Sequence, residues 1–134
     1  MDKEFVTYEQ ALALKELGFD EPTIFSFANK ELMVRLGDFE ASWCMMGELE
    51  VMDYNNIPSL PNHISAPTYQ QAFRWFREKY QLDSSIALVA NGYGFYIHKN
   101  RNYTNKGESY GMYITYEEAE LACLDKLIEI VKNK

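Results

Sequence analysis

Cysteine is scarce in this 134-residue chain, and the two present, Cys44 and Cys123, stand far apart with no close-spaced companion. That pattern is neither a disulfide framework nor the paired spacing of a zinc site, so both are read as reduced thiols. Histidine is equally sparse, and His63 and His98 lack the short spacing that would make them a metal pair. No glycine-rich loop of the phosphate-cradling kind occurs. No apolar run approaches the length of a bilayer span, and Met1-Asp2-Lys3-Glu4 lacks the basic start and apolar stretch of a secretory leader. The expectation is a cytoplasmic protein with no membrane partner. Basic residues are the minority, 13 Lys and Arg against 20 Asp and Glu, for a formal charge of -7 and a pI near 4.8. A large phosphate-binding surface is therefore disfavoured, and nucleic acid with it.

What is present suits an ordinary globular core. Hydrophobic residues make up 47% and charged residues 25%, and a chain of this length can bury enough apolar surface to fold unaided as one α+β domain over residues 1–134. Aromatics reach 15%, with ten Tyr and eight Phe, a supply that serves a half-buried sheet or a recognition surface equally well.

One short pattern recurs as Thr7-Tyr8-Glu9-Gln10-Ala11, Thr68-Tyr69-Gln70-Gln71-Ala72 and Thr115-Tyr116-Glu117-Glu118-Ala119. Each predicts a helix start, with the threonine as N-cap and Gln10, Gln71 or Glu118 as the residue that reaches back in a capping box. The unequal intervals of the three copies argue for repeated local physics rather than a solenoid. The first helix, about 8–17, should end at Gly18 in the left-handed position. The second, 69–80, carries an aromatic stripe of Tyr69, Ala72, Phe73, Phe76 and Tyr80, with Trp75 outside it as either a second packing contact or an exposed anchor. The third, 116–131, has two apolar stripes, one through Ala119, Cys123, Leu127 and Ile130 and one through Leu121, Leu124, Ile128 and Val131. So wide an arc means a helix between two layers, or a subunit interface through Leu121, Leu124 and Ile128.

Period-two alternation predicts a hairpin over 23–36 and a second over 85–99, the latter turning at Asn91-Gly92 as a type I′ turn. Residues 110–115 add a last strand. A short strand or helical turn near 42–53 followed by an irregular loop is expected between 38 and 67. The order is α-ββ-α-ββ(β)-α, a mostly antiparallel sheet with three helices, drawn as a single sheet with helices on a face.

The blocks 5–22, 66–80 and 116–132, which include Tyr8-Glu9-Gln10-Ala11, Phe73-Arg74-Trp75-Phe76 and Glu117-Glu118-Ala119-Glu120-Leu121, closely resemble a family of small uncharacterised proteins from phages, prophages and bacteria of the Bacteroidetes group. The resemblance implies a phage-associated or mobile-element accessory protein. It implies no activity and no catalytic residues.

The residues themselves supply no catalytic set, no metal site and no cofactor. Glu9, Glu117, Glu118 and Glu120 read as first-turn charges held by the helix dipole. Cys44 with His98 and an Asp would make a nucleophilic set for a small hydrolase or transferase, the second alternative, but the sequence shows no activated turn and no base at a telling offset. The run Gly92-Tyr93-Gly94-Phe95 resembles part of the RNA-recognition strand signature, and Lys99, Arg101 and Lys106 lie beside it, which keeps single-stranded nucleic-acid or nucleotide binding on the hairpin as the alternative function. The leading expectation is a non-enzymatic accessory protein that binds a host or phage protein, with inhibition of a host defence system as its specific form. The candidate binding residues are Trp75, Tyr93, Phe95, Tyr103 and Tyr110, and a homo-oligomer is the other partner considered.

Overall fold

Each threonine of the repeated pattern opens a helix in the structure, a computed structural model that describes residues 2–34, 53–58, 62–99 and 108–133. Helices α1 (Tyr8–Glu16), α2 (Tyr69–Tyr80) and α3 (Tyr116–Lys132) begin one residue after Thr7, Thr68 and Thr115. The threonine hydroxyls accept the N–H groups of Gln10 at 3.2 Å, Gln71 at 3.2 Å and Glu118 at 3.1 Å. Such a cap contributes about 1 kcal/mol by satisfying an N–H that the helix cannot pair itself. Gln10 returns the bond to the Thr7 N–H at 3.1 Å and completes a capping box. Glu118 reaches one residue further back and accepts the Ile114 N–H at 3.2 Å. α1 stops as expected at Gly18, whose φ of 93° lets its N–H meet the Lys15 carbonyl and the Phe19 N–H meet that of Leu14, with Phe19 and Leu14 both buried.

The chain divides into two compact units, Phe5–Pro67 and Met1–Glu4 with Thr68–Lys134. In the first, β1 (Phe25–Ala28) lies between β2 (Glu31–Val34) and β3 (His63–Ala66), antiparallel to both. Asn29 and Lys30, at φ 52° and 68°, form the two-residue turn whose backbone matches the strand twist. The register puts Phe25, Phe27, Leu32, Ile64 and Ala66 on one face. On that face Phe5 packs on Phe25 and the Tyr8 ring of α1 meets Phe27 edge-on. β3 corrects the expected irregular loop: Ile64 and Ala66 alternate with His63 and Ser65, a strand signal only four residues long and closed by Pro67. The element expected near 42–53 lies outside the described residues, apart from Asp53, which caps a 3-10 turn at Tyr54–Asn56.

In the second unit, β4 (Leu82–Val89), β5 (Gly92–Lys99) and β6 (Glu108–Tyr113) form an antiparallel meander, and α3 packs across all three strands and against α2. The described strands therefore make two three-stranded sheets, not the single sheet expected. The second hairpin also turns one residue earlier than expected. Val89 pairs with Gly92, the turn is Ala90-Asn91, and Asn91 has no left-handed backbone. Gly92 is instead needed inside the strand, because a Cβ there would collide with the Tyr113 carbonyl oxygen of β6. A bulge opposite Gly94 follows, where Gly111 takes φ 63° and shifts the register between Tyr93 and Phe95. Tyr110 and Tyr113, three residues apart, would otherwise point to opposite faces, yet both stack on Phe95, at 5.1 Å and 6.1 Å.

Gly92→Ala should therefore destabilise the protein by about 1–3 kcal/mol in denaturant unfolding, since the obstruction is backbone and cannot rotate away. A change within about 0.5 kcal/mol would place β6 further from β5 than described here.

Candidate functional site

The sheet face bearing Tyr93, Phe95 and Ile97 is core, not a binding platform. Directly opposite residues across antiparallel strands share a face, so Ser84, Ile86 and Leu88 join Ile97, Phe95 and Tyr93 there. Phe95 and Ile97 are buried, and Tyr93 is half-buried with its ring at 5.7 Å, edge to face, from Tyr116 on the first turn of α3. Tyr110, half-buried, stacks on Phe95 and lies under the Lys126 ammonium at 5.2 Å. A base could not stack on Phe95 without displacing α3, which removes the geometric basis for nucleic-acid binding on this face.

Trp75 is likewise corrected as an anchor. It is 3% exposed, meets the rings of Phe76 and Tyr80 edge to face at 5.1 Å and 5.4 Å, and carries the Lys79 ammonium at 5.0 Å. The face outside the aromatic stripe is thus a second packing surface, with the Lys79 ammonium over the indole. Leu124 and Ile128 are corrected as interface residues because the wide arc of α3 is used up against the sheet and α2; both are buried, and Leu121 alone of the three is exposed. Tyr103 lies outside the described residues.

Large apolar side chains are exposed elsewhere in this unit. Leu88 is 76% exposed at the end of β4, Met112 and Ile114 are 64% and 85% exposed on either side of Tyr113, and Tyr116 is partly exposed. Pairing and packing link Leu88 through Tyr93 to Tyr116, whereas Met112 and Ile114 flank Tyr113, the residue opposite Tyr93, and Met112 faces the other side of the sheet. They occupy the end of the sheet where the β4–β5 turn, the last residues of β6 and the start of α3 come together. Exposed Glu117 and Glu118 border it. Scattered exposed leucines are ordinary, whereas several gathered at one end of a sheet form a candidate contact surface. Leu88, Met112 and Ile114 were not legible as exposed because each continues an alternation or precedes a helix cap.

Two polar clusters carry the remaining chemistry among the described residues. In the first unit, Ser26 Oγ and His63 Nδ1 are 3.0 Å apart, the separation of a nucleophile and its base. Ser26 is buried on a sheet face, His63 stacks on Tyr54 at 5.9 Å, and the neighbouring Ser65 hydroxyl is fully buried without a hydrogen-bond partner among the described residues. A hydroxyl that no substrate reaches is a packed core group, and this pair is read as such. In the second unit, Glu120, Tyr69, Gln70 and Cys123 gather where α2 and α3 meet. Burial pushes the Tyr69 hydroxyl and the Cys123 thiol up to about 12 each, so Cys123 stays a protonated, inert thiol. Glu120 is corrected from a dipole-held surface charge to a buried carboxyl with a raised pKa.

No grouping of three or more His, Cys, Asp or Glu able to hold a metal occurs among the described residues, and none of the described helices is long and apolar enough to cross a membrane. Cys44 lies outside the described residues. Compared with protein-family models, curated proteins and solved structures, the chain finds no match in any of the three.

The two buried serines should behave oppositely. Ser65→Ala removes an unpaired buried hydroxyl and is expected to be neutral or stabilising, whereas Ser26→Ala removes a bonded partner of His63 and should cost about 1 kcal/mol by denaturant unfolding.

Proposed function

We propose that the protein is a non-enzymatic binding protein whose contact surface is the apolar end of the β4–β5–β6 sheet. The observation that carries this reading is the exposure of Leu88 and Tyr116, linked through Tyr93, with exposed Met112 and Ile114 at the same end of a sheet whose aromatic face is closed by α3. The occupant is another protein with an apolar centre and a basic rim. Glu117 and Glu118 border the surface, and each chain carries a formal charge of -7, so a second copy would bring like charges together. Exposed Tyr and long aliphatic side chains suit such a contact, in which a few central residues carry most of the affinity. The resemblance of the helical blocks to small phage and prophage proteins suggests the setting, an accessory protein of a phage or mobile element acting on a host or phage protein.

The test compares the wild type with Leu88→Glu/Ile114→Glu and with a control, Leu12→Glu, in capture from a bacterial host extract and in solution mass by light scattering. At these exposed positions the charge changes should leave the thermal midpoint nearly unaltered. The expected result is a monomer at micromolar concentration and a partner retained by the wild type and the control but lost by the double variant. A partner retained equally by all three, or a dimer that the double variant splits, would overturn the reading.

A further inference from the structure

Glu120 lies at the fifth position of α3, 8% exposed, and among the described residues its one hydrogen-bond partner is the neutral amide of Gln70, whose Nε2 is 3.5 Å from Oε2. A carboxylate taken out of water normally has a cation or several N–H donors against it. Here the groups around it are, among the described residues, neutral or acidic. Tyr69 and Gln70 face it from the first turn of α2, and Tyr116, Glu117 and Cys123 interact with it from α3 itself. Ser84 of β4 hydrogen-bonds the Cys123 thiol and adds no charge. Losing a proton would therefore place a negative charge where no positive one among the described residues answers it. One helical turn earlier, Tyr116 holds its ring against Tyr93 at the exposed end of the sheet.

We propose that Glu120 is a proton-operated latch between α2 and the first turns of α3, closed when its carboxyl is neutral and loosened when it ionises. Burial first, and then the Glu117 carboxylate, hold its pKa above the ordinary value of 4.5, with the Gln70 bond pulling weakly the other way. The sign follows from linkage. The neutral form is favoured in the folded protein, so the favourable contribution is complete below the ordinary carboxyl range and is lost as pH rises through the raised pKa. Because α3 carries Tyr116, loosening its first turns alters the contact surface as well. This last step rests on the function proposed above, whereas the latch does not.

The experiment is thermal unfolding of the wild type, Glu120→Gln and Gln70→Lys at pH 4.5 and pH 7.5, with amide protection of residues 119–123 measured at both. Glu120→Gln keeps the shape and cannot ionise. It should melt with the wild type at pH 4.5 and above it at pH 7.5, with higher protection in the first turns of α3 only at pH 7.5. Gln70→Lys supplies a cation beside the carboxylate and should likewise gain on the wild type as pH rises, because ionised Glu120 then has a partner. A wild-type and Glu120→Gln difference that is the same at both pH values would overturn the latch, whatever the outcome of partner capture. So would a pH-dependent difference whose protection change is spread evenly over α3, which would make it a whole-unit effect.

Discussion

The packing of α3 over Phe95 is the contact on which the second unit depends. Phe95 is stacked by two tyrosines from one neighbouring strand, a placement that a regular strand cannot supply, because residues three apart face opposite ways. The bulge at Gly111 supplies it. Once Tyr110 and Tyr113 are brought to one side, that side is apolar enough to need cover, and the broad arc of Ala119, Cys123, Leu124, Leu127 and Ile128 provides it. Lys126 then lies over Tyr110 at the margin and Tyr116 over Tyr93 at the end. The exposed apolar surface starts where this cover stops.

Local signals in the sequence were read well where one residue type has one physical use. Threonine three residues before Gln or Glu marked all three helix starts, and Gly18 marked a helix end, because these depend on a few neighbouring backbone groups. Asn91-Gly92 failed for the opposite reason. Glycine serves a left-handed turn and a close strand approach equally, and only the position of β6 decides between them. β3 escaped because four alternating residues beside a proline carry little weight until β1 is there to pair with. The division into two sheets depends on which strands meet, and no short-range pattern holds that.

The candidate site was the least legible part. Trp75, Phe95, Leu124 and Ile128 have the chemistry of binding residues, but burial is decided by what packs on them, and each is covered within the chain. Glu120 shows the same limit in reverse. Placed among Glu117, Glu118 and the start of a helix, it has the sequence context of a solvated charge. Helical periodicity puts it one turn after Tyr116 and beside Cys123, on the buried side. The exposed end of the sheet and the buried carboxyl are thus linked through a single helix, one feature at its surface and the other beneath it.

The central claim is that the aromatic face of the β4–β5–β6 sheet is closed core. Denaturant unfolding of Phe95→Ala tests it most directly. Removing a buried ring stacked by two tyrosines beneath α3 should cost about 3–5 kcal/mol, with the unfolding slope unchanged. A loss below about 1 kcal/mol would mean that Phe95 is free to meet solvent or a ligand, and would return the aromatic hairpin to consideration as the binding face.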